Sequence, residues 1–473
     1  MHLLPQLRKL ERAFPRELVV VGVHSPKFTN ERSTESLRQA VLRLEVSHPV
    51  VSDPGMRVWS EYAIGAWPTV IVVDPAGKVI GKHEGEFRFE EFQPLMADMV
   101  TEFDARGMLD RRDLAFEPET PPKTPLLFPG KVLADAASGR LFVADSGHHR
   151  IVMATLDGKL LRVVGTEKGF RDGGPTEAAF DTPQGMALAG EQLYVADTGN
   201  HAIRRIDLIS GQVATLAGTG EQARRVKEGP GVMSALNSPW DLVLHQEVLY
   251  IAMAGSHQIW SFDLQSGELV RYAGSGREAL VDGPLARATF AQPSGLASDG
   301  RRLYVADSES SAVRVVDLPG VGNQVRTLVG QGLFDFGDED GVGSRARLQH
   351  DLGVAVAPSA PPALTPTLSQ GERGIPPDPL TGGRGQVESM LYIADSYNHR
   401  IKRLNPRTTE TRSLVGSGTP ALQDGIGASA SFWEPGGLSA VPGRLYVADT
   451  NNHAVRVVDL ASLRVSTLEM EGL

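Results

Sequence analysis

Three sets of residues in this 473-residue chain have the types and the spacing to do chemistry. Asp145, Asp197, Asp307, Asp395 and Asp449 stand at one recurring position, and His149, His201, His257, His399 and His453 at a second. Arg204, Arg314, Lys402 and Arg456 share a third, where Trp260 stands in one copy and Val152 in another. Carboxylates can act as acids or bases, imidazoles can hold a metal, and an arc of cations can seat phosphate. Each of these chemistries demands convergence. A metal needs three or four ligands within a few Å, whereas equivalent positions of a repeat lie around a ring and meet only at its axis. The aspartates therefore read as binders of turn backbone, and the histidines as turn residues at a strand end. Both are taken as structural repeat positions, with no metal and no catalytic residue assigned. The cations and Trp260 read as a binding arc on a rim.

What positions these residues is a phrase that recurs six times: LFVADSGHHRI from Leu141, LYVADTGNHAI from Leu193, LYIAMAGSHQI from Leu249, LYVADSESSAV from Leu303, LYIADSYNHRI from Leu391 and LYVADTNNHAV from Leu445. The third copy has Met253 in place of aspartate, and the fourth has Ser310 and Ser311 in place of Asn–His. Each unit opens with a Pro–x–Gly strand, continues through the LYVAD strand and a tight turn into a third strand, and ends in a fourth that stops at glycine. Four short strands in about 50 residues match a propeller blade. Such a blade cannot bury both faces alone, so closing the ring buries nearly every inner face. Between blades lie acidic Gly-rich loops, such as RDGGPTEAAF from Arg171 and EDGVGSRARL from Glu339, which read as turns lining one rim.

The spacings between copies are 52, 56, 54, 88 and 54 residues. The long one has a local cause. From the first-strand glycine to the next leucine is 8 residues in the second unit (Gly185 to Leu193) and 38 in the fifth (Gly353 to Leu391). Residues 358–387, with seven prolines and five glycines, read as a disordered insertion within one hairpin rather than a further blade. Its ALTPTLSQGERG piece is similar to short repetitive genomic elements sometimes translated within bacterial proteins.

Residues 1–107 have another grammar. A helix, LLPQLRKLERAF, leads to an apolar strand, ELVVVGVH. A helix around Thr34–Glu45, a short strand before Asp53 and a helix from about Met56 to Ile64 follow. AWPTVIVVDPAGKVIGKHEGE gives two antiparallel strands joined at Asp74–Gly77, and FEEFQPLMADMVTEF closes the segment as a helix. Residues 108–124 read as a linker and 125–473 as the propeller.

Composition narrows the function classes. The formal charge of −10, from 57 acidic and 47 basic residues, disfavours general binding of nucleic acid or anionic membrane. No stretch approaches eighteen apolar residues, and MHLLPQLRKLERAF is too charged for a secretory signal, which gives a cytoplasmic reading. With no cysteine, disulfides, thiol catalysis and zinc–thiolate sites are excluded within this sequence.

The six units resemble NHL repeats, which implies an all-β six-bladed propeller. The N-terminal order resembles the thioredoxin fold, particularly its TlpA-like branch. Trp67–Pro68–Thr69 falls where that family has its cis-proline and substrate-docking edge, and Pro5 where it has a kink in the helix after the redox motif. The strand preceding that helix and the Cys-x-x-Cys pair are absent from this sequence, either because a gene-start error removed the first tens of residues or because the domain is a degenerate remnant. Together the two parts are similar to the NHL repeat-containing protein 2-like family. Six units without a convergent nucleophile, base or metal set, in a chain without cysteine, give a binding or scaffolding protein with a redox-inactive thioredoxin-like domain, without cofactor, and with a protein or small-molecule ligand at the propeller rim or channel. Two alternatives stand beside it: a thiol–disulfide oxidoreductase whose cysteines lie upstream, and a metal-dependent propeller hydrolase or lyase.

Overall fold

The computed structural model describes residues 3–112, 114–358 and 389–473. The chain divides into two compact units, Met1–Pro122 and Lys123–Leu473.

In the first unit, helix α1 (Leu3–Ala13) turns Leu3, Leu7 and Leu10 onto the same core as Met96 and Met99 of the last helix, Phe89–Ala105. Between these helices run strand β1 (Gly22–His24), α2 (Thr34–Arg43), β2 (Val50–Ser52), α3 (Arg57–Glu61), β3 (Thr69–Val73) and β4 (Val79–Glu84), so the last helix is α4. Helix α2 starts at Ser33, whose hydroxyl accepts from the Ser36 N–H at 3.3 Å, the usual way to satisfy a free helix-end donor. The β3–β4 turn forms because Asp74 Oδ1 accepts from the N–H groups of Ala76 and Lys78, with Gly77 at φ +82°.

These strands make two separate two-stranded sheets, β1 parallel to β2 and β3 antiparallel to β4. The long strand expected at ELVVVGVH is thereby cut to three residues. Among the described residues no strand pairs with the other edge of β1 or of β3, and Val19, Val21 and Val23 are about half exposed. A strand holds its length by ladder bonds on its edges, and here one edge of β1 has none. Helix α3 is also shorter than Met56–Ile64, since Met56 and Ala63 adopt left-handed backbone at φ +57° and +49°.

The second unit is a six-bladed β-propeller. Blade 1 runs Pro129–Asp135, Arg140–Asp145, Arg150–Thr155 and Leu160–Val164, each strand antiparallel to the next. The inner strands of blades 2 to 6 are Pro183–Ala189, Pro239–His245, Pro293–Ser298, Gly353–Pro358 and Pro435–Val441, each followed by its own three strands. Proline is tolerated as a first strand residue because no ladder donor is needed there. The apolar residues of consecutive blades interlock, as Phe142, Ile151 and Met153 of blade 1 do with Met186, Leu193 and Ile206 of blade 2. The same arrangement joins blade 6 to blade 1 through Val441, Tyr446 and Val455 against Leu126, Val132 and Val143.

The ring closes without exchanging strands. In blades 3 to 6 a two-residue strand of the preceding junction loop (for example Gly229–Pro230) pairs onto the outermost strand. Blade 1 receives this edge from the far end of the chain: Leu160 N–H donates to Glu471 O and Glu471 N–H to Gly158 O, both at 3.0 Å. In blade 5, Gly353–Pro358 pairs with Ser389–Asp395 in unbroken register, Pro358 facing Ser389. The insertion therefore sits within one hairpin; residues 359–388 themselves lie outside the described residues.

Candidate functional site

The repeat aspartates are fully buried. In each, Oδ1 accepts an N–H from the start of its own blade: Leu127 for Asp145, Asp181 for Asp197, Ala291 for Asp307, Gln349 for Asp395 and Trp433 for Asp449, all at 2.7–2.8 Å. The cations expected on a rim are not there. Arg204, Arg314, Lys402 and Arg456 are fully buried inside their blades, and Trp260 is 2% exposed, so the basic arc is corrected. The reason is electrostatic. A buried carboxylate needs a counter-charge, and the third strand places one beside it: Arg204 Nη1 lies 2.6 Å from Asp197, Arg314 Nη1 3.2 Å from Asp307 and Arg456 Nη1 2.8 Å from Asp449.

Each arginine also reaches outward. Arg204 Nη2 meets Asp172 of the junction loop at 2.7 Å, and Asp172 in turn accepts from both the N–H and the hydroxyl of Thr215 on the outer strand. Asp282 and Asp424 serve Arg314 and Arg456 in the same way. The acidic loops are thus bound into the blades by their aspartates. Each guanidinium lies about 5 Å from a phenylalanine ring centre: Phe180 at 5.1 Å, Phe290 at 5.2 Å and Phe432 at 5.2 Å. Blade 5 substitutes Lys402, held by Asp338, Asp340 and Asp395. Burial pushes the carboxyls of Asp197, Asp307 and Asp449 up to about 6 and that of Asp395 up to about 7, against the pull of these cations.

The histidines do a different job. All five sit in left-handed backbone, φ between +49° and +55°, at the turn after the second strand. Nδ1 then accepts an N–H from the next blade: Thr182, Ser238, Gln292, Glu434 and, across the closure, Phe128, at 3.0–3.2 Å. Accepting at Nδ1 requires the neutral ring. Where Ser311 replaces histidine, its hydroxyl takes the equivalent N–H of His350 at 3.1 Å. Among the described residues no three histidines, aspartates or glutamates come together as a metal site.

Three residues missed in the sequence lie where the inner strands begin. Lys131 and Asp241 occupy the glycine place of the Pro–x–Gly motif, and Asp351 stands where the other blades have proline. All three are buried. The sequence signals them as breaks in the Pro–x–Gly motif that opens each unit.

In the first unit, the Trp67–Pro68 peptide is cis. Trp67 is 44% exposed, its ring centre 4.2 Å from that of Trp59, and its Nε1 donates to Ser25 O at 2.8 Å, tying the start of β3 to the end of β1. Thr69 turns its hydroxyl back onto Ala66 O, so it braces the loop. Asp53, buried beside Ser25, accepts from the N–H groups of Arg57, Val58 and Trp59 and is thereby committed to starting α3.

The NHL repeat family matches residues 180–206, 290–316 and 432–458, each running from the strand-one approach through the buried cation of blades 2, 4 and 6. Over 100% of its length the chain is 40% identical to Protein SUPPRESSOR OF QUENCHING 1, chloroplastic, of Arabidopsis thaliana, and covers 44% of that protein. It is 39% identical over 98% of its length to NHL repeat-containing protein 2 of Bos taurus, of which it covers 65%. Over 20% of its length the chain is 28% identical to Thiol-disulfide oxidoreductase ResA of Halalkalibacterium halodurans, 52% of whose length is covered. The chain thus spans 44%, 65% and 52% of the length of these three relatives.

Proposed function

The chain belongs to the NHL repeat-containing protein 2-like family, and from that premise we propose that it is a non-catalytic binding or scaffolding protein whose propeller offers its outer surface to a protein partner. One observation carries this reading: the recurring charges that could have done chemistry are bound into the blades by their own counter-charges. What is left for recognition is the surface that varies between blades.

The junction before blade 3 varies most. With Trp260 in place of an arginine, no junction aspartate is required there, and Glu228 stands in its place. The loop presents Arg224, Arg225 and Lys227 to solvent beside Val232, 61% exposed, and Met233, 79% exposed. Exposed apolar side chains rimmed by charge are the ordinary make-up of an interaction patch. The test is capture and cross-linking of partners by the full chain and by R224E/R225E and V232S/M233S. Loss of contacts at this loop, with the thermal midpoint unchanged, supports the reading. If polar substitutions in all six junctions leave every interaction intact, a binding role for the propeller surface fails.

A thiol–disulfide role is the second reading, favoured by the similarity of a fifth of the chain to Thiol-disulfide oxidoreductase ResA. These 473 residues contain no cysteine, so the thiols would have to come from outside them. Insulin reduction by this chain with dithiothreitol, no faster than dithiothreitol alone, is the expected outcome; acceleration would reinstate redox chemistry here.

A further inference from the structure

The inner strands approach one another at the ends where they begin. A Cβ on Gly185 would lie 2.4 Å from Asp241 Cα, one on Gly437 2.7 Å from Lys131 Cα, and one on Gly295 2.9 Å from Leu352 O. Glycine at these places admits the neighbouring backbone. The two blades that depart from glycine fill the remaining space with charge.

Lys131 starts in blade 1 and ends on the opposite side of the ring. Its Nζ donates to Ser294 O of blade 4 at 2.8 Å and to Leu352 O of blade 5 at 2.5 Å, and lies 3.3 Å from Asp241 Oδ2 of blade 3. It is 4% exposed. Asp241 is held in place by the N–H of Leu296 on Oδ2 and of Leu242 on Oδ1, both at 2.9 Å. Asp351 is fully buried, and among the described residues neither of its carboxylate oxygens has a hydrogen-bond partner. Two backbone carbonyls and a fixed carboxylate, with a further carboxyl in electrostatic reach, are the all-oxygen surroundings that hard cations take.

We propose that the axis of this propeller is a cation site that the chain fills with its own ammonium, Lys131 Nζ occupying the seat of a metal ion among Ser294 O, Leu352 O and Asp241, and so closing the axis at that end. Burial, with the nearby Asp395, pushes the Asp351 carboxyl well above its ordinary value, and burial lowers Lys131 against the opposing pull of Asp241. A ligand of this propeller would then be met on its outer surface rather than through the axis. This holds whether or not the binding role proposed above is correct.

The test uses the full chain and its K131A and K131M variants, with thermal unfolding followed in EDTA and in calcium or manganese chloride. The parent is expected to show no saturable response. K131A, with the seat vacated and Asp241 and Asp351 behind it, is expected to melt lower in EDTA and to recover by roughly 2–4 °C or more at saturating cation. K131M fills the space with an apolar chain and is expected to stay unresponsive, and D241N is expected to abolish the recovery in K131A. Uptake of one divalent ion by the parent, lost in D241N, would overturn the proposal, as would a folded K131A indifferent to cations. If K131A folds only with added cation the proposal is supported. If it folds in neither condition, amine labelling of the parent decides: Lys131 protected until unfolding is the expected result, and rapid labelling of the native chain defeats it.

Discussion

Blade 3 and blades 2, 4 and 6 solve one packing problem by opposite means. In the three charged blades an aspartate takes the N–H of a residue sixteen positions earlier and is neutralised by an arginine lying over a phenylalanine. In blade 3 the same N–H, from Asn237, points at the sulfur of Met253 at 3.4 Å. Trp260 occupies the arginine's place, with its Nε1 donating to Gln258 Oε1 at 3.0 Å. The residue below is the smaller Leu236 instead of phenylalanine. Three positions have changed together because a lone buried charge is far more costly than either a matched pair or a matched apolar set. The difference teaches that the charges serve the interior and can be dispensed with, provided all of them go.

Breaking one member of a charged blade should have the largest effect. R314A leaves Asp307 buried without its counter-charge, and the unfolding free energy from chemical denaturation is expected to fall by about 3–5 kcal/mol. Transplanting the blade 3 set into blade 4, as F290L/D307M/R314W, should cost less than R314A alone despite three changes. A cost equal to or above that of R314A would mean that the apolar solution depends on something particular to blade 3.

The blade-to-blade clasps should be weaker. H453A removes the acceptor for Phe128 N–H at the ring closure and places alanine in left-handed backbone; a loss of about 1–3 kcal/mol is expected from the unsatisfied donor. H453S copies what Ser311 does in blade 4 and should lose about 1 kcal/mol or less. The smallest effect is a pH dependence. Burial lowers His453 from 6.5 to about 4, so the fold favours the neutral ring. Its stabilisation is present above pH 6.5 and is lost as pH falls toward 4. The gap in thermal midpoint between parent and H453S should therefore narrow over that interval, and a gap that widens on acidification would assign the clasp to the protonated ring.

The propeller was legible because its signal repeats: six in-register copies of one phrase, with the long spacing traced to a hairpin of blade 5. The N-terminal elements were legible as types but not as lengths, since the extent of β1 depends on pairing along an edge that only the assembled sheet reveals. The repeat aspartates were identified at the right position with too little consequence, and Arg204, Arg314, Lys402 and Arg456 were placed on a rim. Charged side chains are solvated by default, and nothing local says that Asp197 sits underground, 2.6 Å from Arg204.

What the sequence determined by itself is the periodic part: strand alternation, turn residues, the order and number of blades. These follow from interactions a few residues apart, which leave a period in the chain. What only the tertiary structure decided is everything that crosses the ring. Lys131 meets Leu352 across 221 positions, and His453 meets Phe128 across 325. No spacing rule links residues so far apart; their meeting is a product of closure, and the contacts of Lys131 with Asp241 and Leu352 at the axis exist only once the sixth blade has found the first.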